Sequence, residues 1–157
     1  MSALPKPILM LAIALLPFSA QADSDMTTKD ALKACLQEKV VLTNPQLESA
    51  TFGRSISVDV TNNLKWAIAG IRIEYTIKSE DRSVPWKKDA FAVSIPGGIE
   101  PGETRDIGTS VSVSRDTPDD AILTATVVDV SDPEERQLVK EVTIIGWGDG
   151  KSPMTCE

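Results

Sequence analysis

From Thr51 onward, apolar side chains recur at every second position, and that period constrains the fold more than any other feature. Ile56, Val58 and Val60 alternate with Ser57, Asp59 and Thr61, and the run stops at Asn62-Asn63. A period of two sends alternate side chains to opposite faces, which is a half-buried strand and not a helix. Ile71, Ile73, Tyr75 and Ile77 repeat the pattern against Arg72, Glu74, Thr76 and Lys78. Gly70 puts Trp66 and Ile68 out of phase with them, which predicts a bulge there. Phe91, Val93 and Ile95 predict a third strand, and Ile107, Val111 and Val113 a fourth. Ala121 to Val130 is apolar at nearly every position and reads as a central strand. Residues 136–145, ending in Val142, Ile144 and Ile145, predict a last strand, and a further one is expected near Leu47.

Turn chemistry separates these runs. In PGGIEPGE (96–103), Pro101 and Gly102 suit the two central positions of a type II turn. Ser79 to Ser83, Arg115 to Asp120 and Asp132-Pro133 supply further turns. Before the strands, residues 23–30 are polar and expected to be loose, with Thr27 and Asp30 a candidate N-terminal cap. Leu32, Cys35, Leu36 and Val40 recur at spacings of three and four, so 28–40 reads as one short amphipathic helix, and Asn44-Pro45 is expected to end that segment. The expected class is all-β: a single immunoglobulin- or fibronectin-like antiparallel sandwich of six to seven strands with one short N-terminal helix. The internal Cys-Trp-Cys core of antibody domains is absent, because both cysteines lie outside the strands.

The domain plan follows. Lys6, the apolar run Ile8 to Phe18, and Ala20-Gln21-Ala22 before Asp23 form a secretory leader over 1–22, with cleavage expected between Ala22 and Asp23. The run is too short to span a bilayer, which takes about 20 residues. Residues 23–46 hold the polar start and helix, 47–146 the sandwich, and 147–157 a tail. A periplasmic or secreted location makes a disulfide between Cys35 and Cys156 the expected state, tying the start of the folded part to its end. The formal net charge of −7 becomes about −8 when Lys6 leaves with the leader, and phosphate backbones and anionic lipids repel such a chain. No histidine is present, which removes Ser-His-Asp and Cys-His catalysis and the commonest metal ligand.

The run I-x-V-x-V-T-N-N (56–63), then G-I-R-I-E-Y-T-I (70–77), then G-G-I-E-P-G-E (97–103) resembles the bacterial FxLYD-type domain and the related late-embryogenesis-abundant type 2 sandwiches. Thr126-Val127-Val128-Asp129 stands where that family carries its F-x-L-Y-D tetrapeptide. The resemblance implies an immunoglobulin-like sandwich of envelope or stress-related proteins, mostly without assigned activity.

Candidate chemistry is sparse. G-W-G-D-G-K-S (146–152) has one residue too few between its glycines for a phosphate-binding loop, and Pro153 denies it the helix that would follow. Asp116, Asp119 and Asp120 in one turn, and Asp129, Asp132, Glu134 and Glu135 in another, are calcium candidates, with solvated turn residues the plainer reading. Trp66 is expected at the core and Trp147 where helix and tail meet. Pro85, Trp86, Lys87 and Lys88 place an aromatic anchor beside positive charge on an acidic protein, a candidate partner contact; the competing reading has Trp86 capping one end of the sandwich. The reading is a non-enzymatic exported module that binds another envelope protein or peptide, with no cofactor and no nucleic acid. Two other classes stand beside it: a small secreted inhibitor or ligand-binding sandwich acting through loop 79–88, and a hydrolase using Asp119, Asp120 and Asp132.

Overall fold

A computed structural model describes residues 21–50, 53–139 and 155–157, with backbone alone for 21–28. The elements run α1 (Gln21–Lys39), β1 (Val40–Ala50), β2 (Gly53–Asn62), β3 (Ile68–Lys78), β4 (Lys87–Ile99), β5 (Thr104–Val111) and β6 (Ile122–Ser131). They form two antiparallel three-stranded sheets, ordered β1-β2-β5 and β4-β3-β6. The class is all-β with one helix, as the alternation requires.

The two central strands are the two clearest period-two runs. Along β2, Ile56, Val58, Val60 and Asn62 are buried, while along β3 Ile71, Ile73, Tyr75 and Ile77 are. One core cluster takes Val58 and Val60 from β2, Ile107 from β5, Ile71 and Ile73 from β3, Ile99 from β4 and Val127 and Val130 from β6. Both sheets therefore bury their apolar faces in a common core, an arrangement consistent with a sandwich. A second cluster of Ile56, Tyr75, Ile77, Val111, Ala121 and Leu123 closes the far end.

The helix starts earlier than its apolar spacing predicts. It contains neither Pro nor Gly from Gln21 to Lys39. The residues expected to be loose, and the Thr27 cap, lie inside it. Its last turns face the core: Leu36 is fully buried, with Leu32 and Cys35 half-buried.

Asn44-Pro45 does not end the segment. β1 runs from Val40 through it to Ala50, with an irregularity in pairing between Thr43 and Gln46. Asn44 adopts φ 50°, and its Nδ2 donates to Asp59 Oδ2 at 2.6 Å across the pair. A bulge at an edge strand accommodates the proline that a central strand would reject. The further strand expected near Leu47 is thus present, and begins well before it.

The predicted bulge at Gly70 is found: pairing jumps from Ile68↔Ile99 to Gly70↔Ser94, so β4 carries the excess residues and extends through Pro96 to Ile99. The turn proper is Glu100 to Glu103, where Glu103 N donates to Glu100 O at 2.9 Å and Gly102 has φ 82°. That bond and the positive φ at Gly102 are what a type II turn at Pro101-Gly102 requires.

Among the described strands β6 pairs with β3, and residues just after it meet its other side. After the turn at Asp132 to Arg136, Gln137 bridges Ser131 and Leu138 N donates to Val130 O at 3.0 Å, covering the end of the strand. An extra residue at Val128, between Arg72↔Asp129 and Ile73↔Val127, buries neighbouring positions together. Of the predicted last strand, 140–145 lie outside the described residues, as do 1–20 of the leader and Trp147.

Asn62 is the junction of the molecule. Fully buried at the end of β2, it donates from Nδ2 to Trp66 O (2.9 Å) and Ile99 O (2.8 Å), and its Oδ1 accepts from Leu64 N (2.9 Å). Its backbone accepts from Gly102 N at 2.6 Å and donates to Glu103 O at 3.0 Å. Two of the three segments that cross between sheets, 63–67 and 100–103, are thereby held to each other. Asn63 N adds a bond to Lys39 O at the end of the helix, at 2.9 Å.

The chain end joins the same region. Cys35 and Cys156 form the expected disulfide. Trp66 Nε1 donates to Thr155 O at 3.1 Å, and Lys65 N to Glu157 O at 2.8 Å. Trp66 is half-buried against the main cluster, near the core as expected.

Candidate functional site

The segment Pro85 to Lys88 sits at the opposite end of the domain, where loop 79–86 leads from β3 into β4. Trp86 N donates to Ile77 O at 2.8 Å, which turns the indole inward against the second cluster. Nε1 donates to Ser79 Oγ at 2.8 Å, and the Arg82 guanidinium lies 3.7 Å from the ring centre on the outer side. Cation and ring attract through the ring's quadrupole. Trp86 is therefore held from three sides and caps this end of the core, while Pro85 is half-buried beside it and Val84 stands 65% exposed.

The two lysines diverge in use. Lys87 Nζ pairs with Asp89 at 3.0 Å, and this hydrogen bond raises the lysine's pKa above its ordinary value. The same bond lowers the pKa of Asp89, helped by the backbone N–H of Ala90. Burial, then the nearby Asp89 charge, pushes the Tyr75 phenol upward. Lys88 is exposed and has no such pair among the described residues.

The turn carboxylates are dispersed. Asp119 pairs with Arg54 at 2.7 Å, and that largely buried arginine also donates to Ser49 Oγ and Thr117 O, each at 3.0 Å. Asp116 is engaged locally: its backbone N–H donates to Ser114 Oγ at 3.2 Å, and its Oδ2 accepts from that hydroxyl at 3.5 Å. Asp120 lines a cleft with Glu80 and Asp81. Among the described residues no three Asp, Glu, Cys or His side chains are grouped to hold a metal.

In the second acidic turn, buried Asp129 accepts at Oδ1 from Val130 N and Val139 N, both at 2.9 Å. Buried Asp132 pairs with Arg136, which also reaches Glu134 at 3.0 Å. Burial opposes the Asp132 charge, yet the bonds from the Arg136 side chain and backbone outweigh it and lower the carboxyl's pKa. The full length of β6 separates Asp119 and Asp120 from Asp132, roughly 30 Å of strand. A sugar cleft needs its two carboxyls about 5–10 Å apart, so these acids do not form such a pair.

Three features escaped the sequence reading. Arg54 and Asp119 meet across 65 positions of chain, and no local pattern marks them. Asn62 was legible only as a strand stop, although an Asn at a strand end before a long crossing is a signal for a polar junction. Ile122, 47% exposed at the start of β6, sits between two clefts that share Ser79 and Glu80.

Fold and bonding define a class: an all-β domain of two antiparallel sheets whose chain end is covalently tied to its one helix. No family model, curated protein or solved structure matches the chain. No helix among the described residues is long and apolar enough to cross a membrane.

Proposed function

We propose that this protein is an exported, non-enzymatic β-sandwich module of the bacterial envelope, which binds an extended segment of another protein by adding it as a strand along β4. The open edge of β4 carries this reading. β4 is 13 residues long and pairs with β3 on one side, with no strand on the other among the described residues. Its middle, Ala90 to Ser94, has no charged residue. An unpaired row of N–H and C=O groups of that length is a template for main-chain recognition.

The other edges are blunted. β1 carries the Asn44-Pro45 bulge, β5 carries Arg105 and Asp106, and β6 is covered at one end by Gln137 to Val139. The disulfide supports an oxidising compartment, and with it the leader at 1–22. Pro85 to Lys88 lead into the open edge, where the exposed Lys88 offers a cation to an acidic flank of the incoming segment.

Because Trp86 is half-buried, the contact is tested from exposed neighbours. A photocrosslinking residue at Lys88 or Ala92 in the exported protein should give a discrete adduct in living cells, and one at Glu74, in central β3, should not. No adduct from either edge position, or equal adducts from Glu74, refutes strand addition at β4.

A further inference from the structure

The end of the domain that holds loop 79–86 presents a groove on the β6 side, away from the β4 edge. Ile122 forms its ridge. On one side lies a cleft of about 180 Å³, walled mostly by aliphatic atoms including those of Thr76 and Thr124. On the other lies a larger cleft of about 710 Å³, reached by Glu80, Asp81, Pro118 and Asp120. Ser79, Glu80 and Ile122 belong to both, so the two are continuous. An isoleucine left half in water between two clefts is an unfilled apolar contact.

The charges around it are arranged one way. Arg82, the cation nearest in sequence to Glu80 and Asp81, is stacked on Trp86. Arg54, the cation that reaches this loop cluster, is paired with Asp119 and not with its neighbour Asp120. The larger cleft has no cation among its lining residues, and Lys78 borders only the smaller one. Three carboxylates thus face the larger cleft, with Arg82 and Arg54 committed elsewhere and Lys78 on the smaller cleft.

We infer that this groove binds a peptide segment in which an aliphatic side chain stands beside arginine or lysine, the aliphatic group on Ile122 and the cation among Glu80, Asp81 and Asp120. The inference rests on the reading of the chain as a peptide-binding module, and adds to it a second contact of opposite polarity to the Lys88 end of β4. Desolvated aliphatic contact supplies the affinity, and the carboxylates supply selection and capture rate. An acidic peptide is repelled from this groove.

The probe is a dye-labelled hexapeptide of alternating arginine and leucine, with a glutamate-leucine hexapeptide as its counterpart, titrated by fluorescence anisotropy into the oxidised full chain at low salt. Saturable binding of the arginine peptide, at least tenfold tighter than its counterpart, is expected. The triple variant Glu80→Gln, Asp81→Asn, Asp120→Asn and the single variant Ile122→Ser should each weaken it at least tenfold. A control triple, Glu48→Gln, Glu74→Gln, Asp106→Asn, removes the same charge elsewhere and should weaken it less than threefold.

Absence of binding overturns the proposal, as does unchanged binding in Ile122→Ser. Equal losses in the two triples overturn it as well, because attraction to overall net charge then accounts for the binding. Crosslinking from Ala92 in the groove variants separates this outcome from failure of the β4 reading: it persists if only the groove is wrong.

Discussion

Replacing Asn62 by alanine should do more damage than any other exposed or buried polar substitution in the domain. The change removes two donated bonds, to Trp66 O and Ile99 O, and one accepted bond, from Leu64 N, at a position with no solvent exposure. Each group stranded without a partner in the interior costs about 1–3 kcal/mol. Partial relaxation and water entering the vacated space offset some of this, so the expected loss is about 3–5 kcal/mol. A small domain unfolds in urea with a slope of about 1–3 kcal/mol per molar, so the midpoint should fall by about 2 M. The measurement is urea denaturation of the oxidised chain, followed by far-ultraviolet circular dichroism. Asn62→Asp keeps the acceptor for Leu64 but points a second oxygen at two carbonyls, and should cost at least as much as alanine. A loss below about 1 kcal/mol for both variants would show that the crossing segments hold their places without this side chain, and would refute the junction argument.

Four further outcomes follow from other sites. The double variant Cys35→Ser, Cys156→Ser should lose about 3–5 kcal/mol in the same urea assay, since the bond closes a loop spanning a separation of 121 residues. Trp86→Ala should cost about 2–4 kcal/mol by opening the second cluster, and a loss under 1 kcal/mol would show that the ring is not a cap. Thr117→Val should leave stability unchanged or raise it by up to about 1 kcal/mol, because the buried Oγ1 has no hydrogen-bond partner among the described residues. Asp132 has a folded pKa below its unfolded value, so its contribution is present above the unfolded value of 3.8 and is lost as pH falls through the folded one. Arg136→Met should therefore flatten the acid limb of a stability–pH curve measured by urea midpoints below pH 4.

Much of the fold was legible in the chain, and the parts that were not share a cause. The alternation at Ile56–Val60 and Ile71–Ile77 marked both central strands, because each has one buried face and a period of two follows from that alone. Pro101-Gly102 marked its turn because backbone angles are a local property. The Cys35–Cys156 bridge was inferred from compartment. Asn44-Pro45 misled because it signals a break in a lone strand, whereas an edge strand absorbs it as a bulge. The near-continuous apolarity of β6 matches its buried half from Val127 to Ser131, where Gln137 to Val139 meet it. At the candidate site, the residue types at 85–88 were legible, but the inward turn of Trp86 depends on Ile77, Ser79 and Arg82 converging on it. The groove at Ile122 joins positions about 40 residues apart, and no periodicity encodes such a meeting.

The bond between helix and chain end also has a mechanical consequence. Tension applied from before Cys35 and from after Cys156 passes between these two residues, so the load runs through one sulfur–sulfur link. All six strands lie inside that bypass and carry none of it. Stretching the oxidised protein lengthens only the stretch ahead of Cys35. Reduction places the 121-residue separation in series with the load, adding roughly 400 Å of contour once the sheets give way. A module anchored at its ends between two envelope structures would thus be inextensible or compliant according to the state of a single bond.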